Sequence, residues 1–173
     1  MIETDRLILR RWQASDRDPF HAMCNDPRVM EFLGDHQSVE QVDAAMERQN
    51  GFQDRLGHCF WAVERKTDAA FLGFCGIKPG ADGTPIEALP EIGWRLAADH
   101  WGKGYAREAA EASIAWGRVN LDGMIWAMTV LGNSRSWGLM ERLGMRRYVD
   151  MDFEHPALPP GHALRPHIVY GIG

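Results

Sequence analysis

Trp101-Gly102-Lys103-Gly104-Tyr105-Ala106 stands between a strand-like run, Glu91 to Leu96, and a helix-like run that lasts to about Asn120. A strand, a glycine turn and a helix start together make an anion site. Glycines let the backbone approach a ligand with no side chain in the way. The first helical N–H groups have no partner inside the helix, and the dipole there is positive. Successive amides aimed at one spot hold a phosphate or pyrophosphate. Spacing excludes two familiar phosphate loops. A P-loop needs glycine, four residues, then Gly-Lys-Ser/Thr, whereas Lys103 is followed by Gly104 and the position five before Gly102 is Ala97. The dinucleotide fingerprint starts with Gly102 and Gly104 but has Arg107 where its third glycine belongs. Taken alone, the loop also reads as a plain strand–helix turn that binds nothing.

Outward from the loop, Tyr105, Ala109, Ala112, Trp116 and Val119 recur at helical offsets and predict one apolar face toward a sheet, with Ala110, Ser113 and Gly117 small enough for close packing. Arg107 in the first helical turn opposes the dipole; a bound anion would remove that conflict, and an exposed arginine of little effect is the other reading. Met124 to Leu131 is apolar on both faces, as in a strand covered on both sides. Asn133 or Ser134 then caps a short helix that ends at Gly144. Arg146 to Phe153 and Arg165 to Ile172 read as two strands around a proline-rich turn. On the other side, Cys59 to Glu64 and Phe71 to Ile77 form a hairpin. Leu7 to Leu9 is a short strand; Ser15 or Asp16 caps a helix from Arg17 to Asn25, Val29 to Phe32 makes a helical turn, and Ser38 with Gln41 is a capping box for a helix to Gln53. The order predicts a mixed α/β sheet of about seven strands with helices on both faces.

The 173 residues suit one domain, 1–173, with a sizeable core. No apolar run is long enough to span a membrane, and no signal peptide is legible at the start. Cys24, Cys59 and Cys75 have no metal spacing and read as reduced core thiols of a cytoplasmic protein. A net charge of −5 argues against a nucleic-acid partner. Seven tryptophans and the proline-rich turn suit either a homodimer contact or a core.

Glu91-Ile92-Gly93-Trp94-Arg95-Leu96 followed by Trp101-Gly-Lys-Gly-Tyr-Ala106 resembles the acetyl-CoA motif of the GNAT superfamily of N-acetyltransferases, Gln/Arg-x-x-Gly-x-Gly/Ala, with Gly104 and Ala106 on its last two fixed positions. Trp101 replaces the usual Gln or Arg, as in the branch resembling the ribosomal-protein alanine acetyltransferases (RimJ/RimL-like). Asn133-Ser134-Arg135-Ser136 with Met140-Glu141-Arg142-Leu143-Gly144-Met145, and Thr4-Asp5-Arg6-Leu7-Ile8-Leu9-Arg10, are similar to two further blocks of that branch in the same order.

The resemblance implies a mostly antiparallel sheet whose central strands, Glu91–Ala97 and Met124–Leu131, part to admit the pantetheine of acetyl-CoA. Main-chain groups of Ile92, Trp94 and Leu96 would bond the pantetheine, and Asn133 would order the strand–helix junction beside it. The amides of Lys103, Gly104 and Ala106 would hold the pyrophosphate, with Trp101, Gly102, Tyr105 and Arg107 around it. The implied reaction is direct attack of a primary amine, on a protein N-terminus or a small molecule, upon the thioester. The amine must lose a proton, to a carboxylate, a histidine or a water chain. Glu91 is the first candidate base, against the reading of a strand-end surface carboxylate; His155 and His167 follow. Many family members protonate the leaving thiolate with a Tyr where this chain has Met140. Ser136 is the candidate here, against a local helix-start hydrogen bond. A binding module that holds CoA without turnover is the competing class.

Overall fold

The computed structural model describes all residues, Met1–Gly173. Strand β1 (Ile2–Glu3) turns into β2 (Leu7–Arg10), where Leu7 and Leu9 are fully buried and the alternate residues are not. Three helices follow: α1 (Arg17–Met23), α2 (Pro27–Met30) and α3 (Val39–Leu56). Asp16 does not cap α1. Its carboxylate accepts two bonds from the Arg10 guanidinium, both 2.8 Å, and one from the Gln13 amide, so it neutralises a cation at the sheet edge. The capping box at Ser38 and Gln41 forms in both halves, and α3 ends at Gly57 in the left-handed conformation.

Strands β3 (Phe60–Arg65) and β4 (Phe71–Pro79) form the expected hairpin. Next come β5 (Pro90–Leu96), α4 (Tyr105–Asn120), β6 (Ile125–Val130), α5 (Ser134–Arg142), β7 (Arg146–Arg147), β8 (Phe153–Glu154) and β9 (Pro166–Ile172). One sheet runs β1-β2-β3-β4-β5-β6-β9-β7, with β8 also on β9. Every pairing is antiparallel except β5 with β6. The sheet is the mixed one that the order of elements predicts, and it is mostly antiparallel as the resemblance implies. Its nine strands exceed seven because β1 adds two residues and the run 146–153 breaks in two around a 3-10 turn at Val149–Met151. Asp150 and Asp152 are poor strand formers, and Arg147 bonds Asp152 across that turn.

Two apolar clusters sandwich the sheet. On one face Trp12, Phe20, Met23, Val42 and Met46 pack under α1–α3; on the other Trp61, Ile77, Ile92 and Leu96 meet α4. The buried stripe of α4 is Ala109, Ala110, Ser113, Ile114 and Gly117, rotated from the predicted face, and Val119 is 83% exposed. Small residues win the sheet-facing positions because the helix lies so close. A β-carbon on Gly117 would sit 2.6 Å from Ile77 and 2.7 Å from Ile125. Trp116 takes the flank, edge-on to Trp61 at 5.3 Å.

Candidate active site

β5 is paired along its whole length with β4, from Gly73↔Leu96 to Pro79↔Pro90. With β6 it shares a single register pair, Glu91↔Trp126. The two parallel strands therefore meet at the Glu91 end and part toward Leu96. The Ala97 amide donates to Leu72 O at 2.9 Å. The two-residue alternation of a strand then turns the main-chain groups of Ile92, Trp94 and Leu96 toward β6. The Leu96 carbonyl accepts the Trp101 indole N–H at 2.8 Å. That leaves the main-chain groups of Ile92 and Trp94 and the Leu96 N–H to line the opening between the strands.

At the wide end lies the glycine loop. Gly102 and Gly104 have φ of +73° and +82°, values that side chains disfavour. Gly104 is the N-cap residue of α4 and brings no side-chain acceptor. The first bonded amide of the helix is Glu108, to Gly104 O at 3.0 Å. None of the main-chain N–H groups from Gly102 to Arg107 donates to an acceptor in the protein. Unpaired amides at a helix start favour an anion. The side chains around the loop are engaged with one another. Arg6 donates to Lys103 O at 3.0 Å, pairs with Glu108 at 2.6 Å and lies 4.7 Å over the Tyr105 ring. Lys103 Nζ donates to Asp99 O. Arg107 pairs with Glu111 at 2.8 Å, which relieves its conflict with the dipole without a ligand.

The start of α5 reaches the same loop, with the Arg135 guanidinium 4.8 Å over the Trp101 ring. Asn133 is the cap of α5; its Oδ1 accepts the Ser136 amide at 3.3 Å. The Ser136 hydroxyl is half-buried and makes no hydrogen bond within the protein, so the helix-start role belongs to Asn133. Met140 is 2% exposed and offers no proton.

At the closed end Glu91 is 7% exposed, which removes the reading of a surface carboxylate. Burial holds its pKa above the usual glutamate range, against the opposing pull of Lys78, whose ammonium donates to Oε2. Lys78 was not singled out from sequence; only the Lys78↔Glu91 register of the hairpin brings the two together. His155 and His167 lie tilted against each other with ring centres 4.9 Å apart, beside Phe153, and burial lowers both pKa values. All three thiols are buried and unpaired, and burial pushes those of Cys59 and Cys75 up to about 12.

A family model described as an acetyltransferase (GNAT) domain matches residues 6–146. The uncharacterised protein YkkB of Bacillus subtilis (strain 168) is 34% identical over 150 residues, which is 83% of this chain and 84% of YkkB. A solved Bordetella pertussis chain described as a GnaT-family acetyltransferase superposes with a TM-score of 0.79 at 25% identity, covering 99% of this chain and 98% of the other. A spermidine N-acetyltransferase of Vibrio cholerae, solved with CoA and spermine, shares the fold at a TM-score of 0.71 and 18% identity, covering 98% and 96% of the two chains.

Proposed function

Because the chain belongs to the GNAT acetyltransferase family, we propose that it transfers the acetyl group of acetyl-CoA to a primary amine, on a small molecule or a protein N-terminus, by direct attack. The observation that carries this reading is the unbroken run of unbonded amides from Gly102 to Arg107 at the mouth of the parted strands. Acetyl-CoA supplies the activated carbonyl. Amides of Lys103, Gly104 and Ala106 hold its pyrophosphate, flanked by those of Gly102, Tyr105 and Arg107. Trp101 fixes the loop against β5, Asn133 fixes the start of α5, and Ile92, Trp94 and Leu96 present main chain to the pantetheine. Each amide bond to a charged group is worth about 1.5–3 kcal/mol.

Glu91 takes the proton of the attacking amine. A carboxylate held above its ordinary range by burial is closer to the operating pH and so is a better base. Ser136, whose hydroxyl is free, donates to the leaving thiolate. Holding both substrates in one wedge supplies much of the rate without a covalent enzyme intermediate. We place the protein in the cytoplasm, and a homodimer belongs to the same proposal, tested by light-scattering mass across micromolar concentrations.

The second reading, a CoA-binding module with little turnover, rests on Met140 in place of the usual proton donor. Calorimetric titration with acetyl-CoA, followed by free-thiol release over a panel of amines, decides between them. Binding with release supports transfer; binding without release for every amine supports the module; no binding defeats both.

A further inference from the structure

Residues 91, 93 and 95 of β5 point to one face of the sheet, the face covered by α1–α3. Arg95 lies there among Cys24, Met30 and Phe74. Its guanidinium has five N–H donors. Nη1 faces two sulfurs, Cys24 Sγ at 3.4 Å and Met30 Sδ at 4.0 Å, which are weak acceptors. Nε is shut off from solvent and has no partner. No carboxylate approaches Arg95. The acids nearby are engaged elsewhere: Asp26 and Asp99 with Arg28, Glu31 with Arg135. A largely buried cation without a counter-ion is costly, and burial lowers its pKa accordingly.

The other end of the same row is built differently. Phe60 and Phe74 stack at 5.4 Å and 10°. Lys78 lies 5.1 Å from the Phe60 ring centre and Arg95 5.4 Å from that of Phe74. The lysine is neutralised by Glu91; the arginine is not. Between them Gly93 leaves its place to the Phe60 ring, which would be 2.6 Å from a β-carbon there. Glu91 and Arg95 are four strand residues apart on the same face, about 13 Å between their Cα atoms, with the Phe60 ring over Gly93 between them. Phe60, Gly93, Phe74 and Arg95 each keep a minor part of their surface in solvent, so the row is reached from outside although the Arg95 Nε is covered.

We propose that Arg95 is the receptor for a carboxylate carried by the acceptor, so that the acceptor is an amino acid or a close derivative of one. The inference rests on the reading of Glu91 as the end where the amine is deprotonated. A free carboxylate next to the reacting amine distinguishes an amino acid from a protein N-terminus, where that group is an amide, and from a polyamine, which has none. The planar fork of arginine matches a carboxylate with two parallel bonds.

The test uses the whole chain saturated with CoA, in which no acetyl transfer occurs. The L-amino acids and their α-amides are titrated singly by calorimetry. At least one amino acid should bind about 10- to 100-fold more tightly than its amide. Arg95→Met, which keeps the apolar contacts, should bring that ratio to about one with CoA affinity unchanged. A ratio near one in the wild type, binding of no amino acid, or a ratio that survives in a folded Arg95→Met overturns the proposal. If Arg95→Met does not fold, the wild-type ratio still decides. Thiol release with acetyl-CoA separates this inference from the one beneath it. A preferred carboxylate with no release leaves Arg95 as the receptor and defeats transfer; release with neutral amines and no preference for the acid does the reverse.

Discussion

The wide end of the wedge between β5 and β6 offers main-chain amides, with the surrounding side chains bonded to one another; the closed end offers side chains, with the main chain locked into the sheet. The donor end, on the proposed reading, needs only two left-handed glycines and a helix start, because the Lys103 and Arg107 side chains are turned to Asp99 O and Glu111. The acceptor row, on the proposed reading, needs Glu91, Lys78, Phe60 and Phe74 at fixed places on three strands, with Arg95 farther along β5 toward the wide end. A backbone site recognises what the family's members share. A side-chain site can be altered one residue at a time, and on the proposed reading the acceptor is chosen there.

The largest expected effect falls on the side-chain end. Glu91→Gln should lower kcat by about 10²–10⁴-fold with acetyl-CoA affinity unchanged. The wild-type rate should fall on the acid side of a limb set above the ordinary glutamate range, and the variant should lose that limb. A profile of unchanged height and shape would make Glu91 structural. The raised value also has a sign in stability. The folded state prefers the protonated form, so this contribution is full below the unfolded value near ~4.3 and is lost as pH rises through the folded one. Denaturant midpoints measured against pH should show that loss in the wild type and not in the variant.

Gly104→Val tests the backbone end. A φ of +82° and Arg6 at 3.3 Å from the new β-carbon both oppose the substitution, at a cost to stability of about 1–2 kcal/mol. Acetyl-CoA affinity should drop about 10- to 150-fold as amides turn away. Unchanged calorimetric affinity in a folded variant would remove the loop from the site. Ser136→Ala should reduce kcat by about 10-fold, the low end for a bond to a developing charge, and leave the melting temperature alone because the hydroxyl bonds nothing in the free protein. Asn133→Ala is the complement. It removes the cap of α5 and should cost about 1 kcal/mol, seen as a lower melting temperature with a smaller change in rate than Ser136→Ala. A stability loss at Ser136 or none at Asn133 would reverse the two roles.

The same contrast explains what the sequence discloses. Caps, glycine turns and strand runs are local, so Ser38 with Gln41, Gly102 with Gly104 and the order of elements are legible at once. The glycine loop is legible for that reason, and so is its likeness to a family motif. Lys78 is not, because its meaning depends on which residue of β5 the hairpin register sets beside it. Arg95 lies in the strand run from Glu91 to Leu96, yet no sequence pattern says that it lacks a counter-ion. The face of α4 is misread for a related reason. Hydrophobic periodicity weighs Tyr105, Trp116 and Val119 heavily, whereas the helix lies so close over Ile77 and Ile125 that Gly117 has no room for a β-carbon and mostly small residues face the sheet.

Arg6 ties the turn before β2 to Lys103 and Glu108, about a hundred residues later. Such a contact closes a very long loop and carries a matching entropic cost, so it forms after the nearby pairings that precede it. On the ribosome, β2 emerges early and waits for β3, and the clamp on the glycine loop waits longer still, for α4. A chain arrested before Glu108 can hold the hairpin of β3 and β4 but has no cradle. If the loop is the anion cradle proposed above, its ability to capture a ligand arrives late in synthesis, and ligand added during refolding should act on the final step of assembly and not on its nucleus.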